Sequence, residues 1–258
     1  MNPPGTTSTG ISVHVRDLKK SLGGELVLRG LNLQVAAGER FVIMGPSGSG
    51  KSVFLRQVIG LETPDSGEIR LNGEILQDAN RGRFRLAMVF QSGGLLNSLT
   101  VAENVGLYLI EHRLKSLAEI DQIVREKLEA VALDPEIGER LPAELSGGMR
   151  KRVAIARALV IEPQLILYDE PTSELDPLVA RTIGREIVEL NERNRATTLV
   201  VTHDRDLAFG IAHRIAFLHE GQFLEVGTPA ELRATKHPLI REFMNAEFSP
   251  PIDTVESA

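Results

Sequence analysis

The sequence of 258 residues contains no cysteine. This absence excludes disulfide bonds, cysteine-ligated metals and a thiol nucleophile, and it agrees with a reducing compartment. Long apolar runs are also missing, because the longest candidate, Ala154 to Ile161, is interrupted by Arg157. A membrane-spanning helix needs roughly 18 to 20 apolar residues. We therefore expect that the chain does not cross a membrane by itself.

Basic residues are in the minority, with 29 Lys+Arg against 35 Asp+Glu and a net charge of −6. A general nucleic-acid binder normally needs a basic face to neutralise phosphates, so no nucleic-acid partner is expected. Met1 to Gly10 has neither a basic start nor an apolar stretch, which argues against a secretory signal and favours a cytosolic location. The hydrophobic share of 42% is typical of globular proteins, so a sizeable core can form.

The order of short apolar runs predicts an α/β domain. β-type runs cover Ile11–Val15, Leu26–Val35, Arg40–Met44, Gly67–Ile75, Arg85–Phe90, Leu165–Tyr168 and Thr197–Val201. Helical spacing is found over Lys51–Ile59, Ser116–Val131 and Gly147–Ile161, and Asp176 with Pro177 opens another helix. Strands that alternate with helices predict a mainly parallel sheet covered on both faces. We expect one domain over 11–247, between flexible ends at 1–10 and 248–258.

A phosphate-binding loop follows the third of these strands. Its residues match the pattern Gly, four variable residues, Gly, Lys, Ser or Thr, and they are Gly45, Pro46, Ser47, Gly48, Ser49, Gly50, Lys51 and Ser52, followed by Val53. Glycines let backbone amides surround phosphate oxygens at a helix N-terminus. Lys51 is expected to reach the β- and γ-phosphates, and the Ser52 hydroxyl to bind Mg²⁺. The pattern predicts a site for nucleotide phosphates and Mg²⁺.

A second candidate functional segment is the apolar run Leu165–Tyr168, which is followed by the carboxylates Asp169 and Glu170. Ligands bind at the carboxyl ends of strands in open α/β sheets. Asp169 suits a magnesium-directed role, and Glu170 could accept a proton from attacking water. Taken alone, such a run is equally well explained as a solvated strand end, but the phosphate loop favours the catalytic interpretation.

Leu145, Ser146, Gly147, Gly148 and Met149 precede a helix that carries basic residues in its first turns. Ser146 is a suitable N-cap and the glycines expose amides, so the segment predicts a second anion-binding helix terminus. This segment resembles the signature motif of the ATP-binding cassette (ABC) family. Further segments fall into that family's order, with Gln91 as the Q-loop glutamine, Ser173, Glu174, Leu175 and Asp176 as the D-loop, and His203 as the switch histidine.

The resemblance implies a P-loop NTPase core with a mainly parallel sheet, an antiparallel β-subdomain and a helical subdomain near residues 95–155. It implies a head-to-tail homodimer, in which ATP and Mg²⁺ lie between the phosphate loop of one copy and the signature motif of the other. Glu170 is then the base, His203 holds the γ-phosphate, and Gln91 senses the metal together with Ser52 and Asp169. The resemblance also implies that Gln91 reports to a separate membrane permease.

Two positions depart from the family pattern. Leu22 stands where an aromatic residue commonly stacks on adenine, and aliphatic packing is weaker. Glu174 stands where the D-loop commonly has Gly, and a carboxylate there could either pair with a basic residue or repel its counterpart across the dimer.

Met149 and the stretch Phe90–Leu96 resemble the ATPase of Mla-type (MCE-associated) phospholipid transporters, as does the ending His237–Phe243. This resemblance implies a peripheral subunit on the cytosolic face of the inner membrane, bound to a permease and working with an MCE-domain lipid-binding protein. Leu95, Leu96, Leu99 and Val101 then belong partly to the permease interface, the alternative being ordinary packing. Two other functions stay open: an importer ATPase for amino acids or another small solute, and a soluble cassette acting on DNA or ribosomes.

Overall fold

The computed structural model describes residues 10–245. Its strands are β1 (Val13–Leu22), β2 (Glu25–Val35), β3 (Arg40–Met44), β4 (Ser66–Leu71), β5 (Glu74–Ile75), β6 (Leu86–Val89), β7 (Leu165–Asp169), β8 (Thr197–Thr202), β9 (Arg214–His219) and β10 (Gln222–Gly227). Its helices are α1 (Lys51–Val58), α2 (Asp78–Arg81), α3 (Val101–Glu111), α4 (Leu117–Ala130), α5 (Gly147–Leu159), α6 (Pro177–Asn194), α7 (Arg205–Ile211), α8 (Pro229–Arg233) and α9 (Pro238–Asn245), with 3₁₀ turns at Pro135–Glu139 and Pro142–Glu144. The expected flexible ends fall largely on residues 1–9 and 246–258, outside the described residues.

A four-stranded antiparallel sheet has the order β2-β1-β4-β5. β1 is longer than its sequence predicts, because register shifts after Val15 and after Leu18 interrupt the alternation of apolar and polar residues. Asp17, between these shifts, has φ 44°. The single run predicted over Gly67–Ile75 is two strands, since Asn72 and Gly73 both have positive φ and make a tight turn between β4 and β5.

A six-stranded sheet has the order β10-β9-β3-β8-β7-β6 and carries the phosphate loop. The pairs β9–β3, β3–β8, β8–β7 and β7–β6 are parallel, and only the β10–β9 pair is antiparallel. The predicted α/β class with a mainly parallel sheet is confirmed. The carboxyl ends of β3, β7 and β8 meet at one edge of this sheet, and the residues that follow them therefore come together.

Two apolar cores lie on the two faces of the six-stranded sheet. Val42 and Met44 of β3 pack into the core that includes α3 to α7. Phe41 and Ile43, which alternate with them, pack into the core shared with α1 and the antiparallel sheet. This period of two buries both faces of β3, which explains why the strand is apolar throughout.

Helices α3, α4 and α5 pack against one another, and α3 and α4 also pack against the 3₁₀ turn at 135–139. Thr100 and Ser116 each cap a helix, accepting from the amides of Glu103 and Glu119, whose carboxylates reach back to the cap. Over residues 10–245, none of the helices has the length and apolar character needed to cross a membrane.

Candidate active site

The phosphate loop joins β3 to α1 and is tightly enclosed by backbone. A Cβ atom at Gly45 would lie 2.1 Å from the carbonyl oxygen of Leu218 in β9, so only glycine fits there. Gly50, the N-cap of α1, has φ 102°, a conformation that L side chains rarely adopt. Lys51 folds back over the loop, and its Nζ donates to the carbonyl oxygens of Gly45 at 2.8 Å and Pro46 at 3.0 Å.

The two carboxylates at the end of β7 have different partners. Asp169 Oδ1 accepts a hydrogen bond from Ser52 Oγ at 2.8 Å. Glu170 lies 3.5 Å from Lys51 through Oε1. This division gives one carboxylate to the serine and the other to the lysine.

Glu170 is held by the end of β8 as well. Its Oε2 lies 2.9 Å from Nδ1 of His203 and accepts from the His203 amide and the Thr202 hydroxyl, each at 3.2 Å. The residue is 7% exposed and has φ 49°, the left-handed region that costs a non-glycine residue about 1 to 2 kcal/mol. A buried carboxylate with several fixed donors and strained backbone is typical of a functional group.

Burial shifts the protonation of the other charged groups here. It lowers the pKa of Lys51, while the nearby carboxylate of Glu170 opposes that shift. Burial also raises the pKa of Asp169, and the hydrogen bond from Ser52 opposes the rise. The site thus brings one cation and two carboxylates into a space with little water, where electrostatic interactions are strong.

The glycine-rich segment before α5 forms a capped helix terminus. Ser146 Oγ accepts from the Met149 amide at 3.2 Å, as predicted for an N-cap. A Cβ atom at Gly148 would lie 2.6 Å from Val179 Cγ1 of α6, so this glycine allows the two helices to approach. Within residues 10–245, no hydrogen bond or ion pair connects residues 145–149 with the phosphate loop.

The sequence profile of the ABC transporter family matches residues 28–173, more than half of the chain. The chain belongs to this family. The chain is the ATP-hydrolysing subunit of an ABC transporter.

Relatives of the ABC chain cover nearly all of its length. A probable ribonucleotide transport ATP-binding protein of Mycobacterium leprae is 36% identical over 98% of this chain and 74% of the relative. The chloroplastic protein trigalactosyldiacylglycerol 3 of Arabidopsis thaliana is 36% identical over 94% and 76% of the two chains. A sulfate/thiosulfate import ATP-binding protein of Caulobacter vibrioides is 37% identical over 86% and 66%.

A solved dimeric ATP-binding cassette, in a post-hydrolysis state with ADP and Pi, is 35% identical with a TM-score of 0.77. The superposition covers 84% of this chain and 98% of the other. The predicted ABC cofactors, ATP and Mg²⁺, are thereby confirmed. The residues present fit a nucleotide, because Ser49 Oγ of the phosphate loop is buried without a hydrogen-bond partner in the structure. No group of three or more His, Asp or Glu in the described part of this ABC chain could hold a metal alone, which fits an ion that binds with phosphates.

The structure brings most of the ABC site residues that the sequence predicts to one sheet edge: Lys51, Ser52, Asp169, Glu170 and His203. Gln91 is exposed after β6, and its carbonyl oxygen accepts from Lys151 of α5. Leu22, at the end of β1, is 41% exposed. In the D-loop, Glu174 has φ 63°, so the carboxylate stands where glycine would be unstrained.

Two functional contacts of this ABC site were missed by sequence reasoning. Thr202 donates to Glu170, and Thr172 Oγ1 donates to Asp204 Oδ2 at 3.0 Å, which joins the segments after β7 and β8. The basic residues of the signature helix are also committed internally: Arg150 donates to Leu145 O, Lys151 to Gln91 O, and Arg152 lies 3.0 Å from Glu186. The position of Thr202 directly before His203 was the one available signal.

Proposed function

We propose that this ABC subunit powers phospholipid transport between the inner and outer membranes of a bacterium. It acts as a homodimer on the cytoplasmic side of the inner membrane, bound peripherally to a permease and working with an MCE-domain lipid-binding protein. Phospholipid is proposed as the transported substrate because the Phe90–Leu96 stretch and Met149 are both typical of Mla-type ATPases. The similarity to a chloroplast protein named for a glycolipid supports it.

In the hydrolysis reaction, Glu170 is the general base. Its Oε2 is held by Thr202 and by the His203 amide, which leaves the carboxylate fixed near the phosphate loop. His203, with Nδ1 against Glu170 and a side chain 53% exposed, has its other ring nitrogen available for the γ-phosphate. Lys51 and the loop amides hold the phosphates. Ser52, Asp169 and Gln91 would hold Mg²⁺, which would neutralise phosphate charge when bound.

The second half of each site comes from the other copy. Ser146 and the amides of Gly147 and Gly148 form an anion-binding helix terminus that makes no hydrogen bond to its own phosphate loop in the described chain. Ser173, Glu174 and Leu175 of the D-loop line one open cavity with His203. A head-to-tail dimer uses both features, because it places each signature segment against the γ-phosphate bound by the partner.

Glu170→Gln tests the base. The substitution removes the proton acceptor and little volume, so steady ATP hydrolysis is lost while ATP binding persists. Glu162→Gln is the matched control, since Glu162 also has positive φ, at 49°, but is exposed and distant in the chain from the phosphate loop. Near-normal turnover in Glu170→Gln would contradict the assignment.

The permease contact centres on the exposed apolar residues after β6. Leu96 is 46% exposed and Phe90 is 37% exposed. Val101 is fully buried, which favours ordinary packing for this residue, and Leu95 is partly buried against the core. Leu96→Asp is therefore expected to weaken permease association and to spare nucleotide binding. Leu61→Asp, at another exposed leucine, is the control and should leave permease association unchanged. Intact association of Leu96→Asp would exclude this docking surface.

The cargo is tested by affinity purification from detergent-solubilised membranes, with mass spectrometry of co-purifying proteins and lipids. A permease, an MCE-domain protein and phospholipid are the expected result. A small-solute importer is the second candidate, favoured by the 37% identity to a sulfate/thiosulfate import protein. Recovery of a solute-importer permease would establish that candidate instead, and recovery of soluble partners alone would exclude both.

A further inference from the structure

Helix α5 holds the backbone of the segment after β6 through two cations. Lys151 Nζ donates to the carbonyl oxygen of Gln91. Arg157, further along α5, donates to the carbonyl oxygens of Gly94 at 2.7 Å and Gly93 at 3.0 Å. Three carbonyls of the Gln91–Gly94 loop are thus fixed by one helix, the same helix that begins at the signature glycines.

Lys151 alone of these two cations also reaches the catalytic edge. Its Nζ lies 3.4 Å from the carbonyl oxygen of Glu170 and 3.4 Å from Ser173 Oγ. An ammonium has three donors, and Lys151 finds three oxygens, one each from the Gln91 loop, the end of β7 and the D-loop. Ser173 reinforces the arrangement, because its amide and hydroxyl both donate to the Glu170 carbonyl, at 3.2 and 2.9 Å.

The side chain of Lys151 is enclosed and lies near three carboxylates. Lys151 is 7% exposed. Burial lowers its pKa, and the carboxylates of Glu174, Asp169 and Glu170 oppose that shift. Glu170 itself has φ 49°, a backbone conformation that persists only where surrounding contacts hold it. The hydrogen bonds on the Glu170 carbonyl are contacts of that kind.

We propose that Lys151 is a positioning residue for ATP hydrolysis, which holds the backbone of Glu170 in its strained conformation and ties it to Gln91 and Ser173. A shift of the Gln91 loop then displaces the ammonium and, through it, the carboxylate of Glu170. The inference rests on the proposed role of Glu170 as the base. It gives the Gln91 loop and the D-loop a common connection to that base.

The test measures ATP hydrolysis and nucleotide affinity of the purified full-length chain and of its Lys151→Met, Lys151→Gln and Glu170→Gln variants. Met keeps the length of the side chain and removes its donors, and Gln keeps two donors without the charge. The control is Lys115→Met, at an exposed lysine before α4. We expect kcat to fall about 10- to 100-fold in Lys151→Met, the effect of a misplaced catalytic group. The KM and the dissociation constant of ATP should stay within about twofold, because no ground-state binding is removed.

Three outcomes would overturn the proposal. Unchanged kcat in Lys151→Met or Lys151→Gln, while Glu170→Gln is inactive, refutes the role of Lys151 and leaves the base in place. An active Glu170→Gln refutes the base, and the positioning role with it. If both lysine variants lose kcat and ATP affinity together, Lys151 stabilises the whole site and does not specifically position Glu170. If Lys151→Met does not fold, as judged by thermal unfolding, Lys151→Gln decides the matter.

Discussion

Glu186 of α6 provides a sharp test of how burial acts in this chain. Its carboxylate is 8% exposed and lies 3.0 Å from Arg152 Nε of α5, but the two groups are not oriented for a hydrogen bond. Burial raises the pKa of Glu186 from its ordinary 4.5 to about 7, the charge of Glu189 adds to the rise, and the charge of Arg152 opposes it. The folded chain therefore retains a proton that the unfolded chain releases.

The sign of the effect on stability follows from this difference. Well below pH 4.5 both states are protonated, so titration of Glu186 does not change the free energy of unfolding there. Between pH 4.5 and 7 the unfolded state loses its proton first, so stability falls as the pH rises. With about 1.4 kcal/mol for each pKa unit, this group removes about 2.5 kcal/mol between pH 5 and pH 8.

Glu186→Gln abolishes this titration. Urea unfolding at pH 5, 6, 7 and 8 should show the variant gaining about 2.5 kcal/mol relative to the parent chain as the pH rises from 5 to 8. Glu129→Gln, at an exposed position on α4, controls for the loss of one carboxylate. A difference between Glu186→Gln and the parent that is constant across this pH range would refute the reasoning.

Three further predictions concern the ATP site and the turn beside it. Leu22→Trp should tighten ATP binding about fivefold or more, because base stacking is worth ~1–3 kcal/mol. The affinity is measured with a fluorescent ATP analogue, and Leu61→Trp is the control. Unchanged affinity in Leu22→Trp would show that adenine binds elsewhere. Asp169→Asn should weaken Mg²⁺ binding about 10- to 100-fold, seen as a higher Mg²⁺ requirement for hydrolysis, and an unaltered requirement would contradict its metal role. Gly221→Ala should lower the free energy of unfolding in urea by at least ~2 kcal/mol more than Gly73→Ala does. Both residues have positive φ, but a Cβ atom at Gly221 would lie 2.1 Å from Val27 O, whereas a Cβ atom at Gly73 would have no atom within 4 Å. Equal losses would show that this clash relaxes.

Much of the ABC core could be predicted from the sequence because its signals are local. The buried strand β3 is apolar on both faces, and Asp176 with Pro177 opens α6 as a capped helix. The full length of β1 was missed, since the register shifts around Asp17 break the period of two that identifies a strand. The turn at Asn72 was missed because Ile69, Leu71 and Ile75 keep one period of two across it.

The motifs of the site were predictable, but the contacts between them were not. Glu170 and His203 could each be found from the segments around them. Lys151 could not, because its partners Gln91 and Ser173 are 60 and 22 residues away along the chain, on opposite sides of it. Only the packing of α5 against the sheet edge brings these oxygens to one ammonium.

The sheet order has a consequence for synthesis of the chain. β3, which leads into the phosphate loop, forms its ladders with β8 and β9. β3 ends at residue 44 and the β8 pairing begins at residue 198, an interval of 198 − 44 = 154 residues. At ~5–20 residues per second, a ribosome needs about 8 to 30 s to supply that partner. During this time the antiparallel strands β1, β2 and β4 can already pair, while β3 remains an unpaired apolar segment of the kind that chaperones protect.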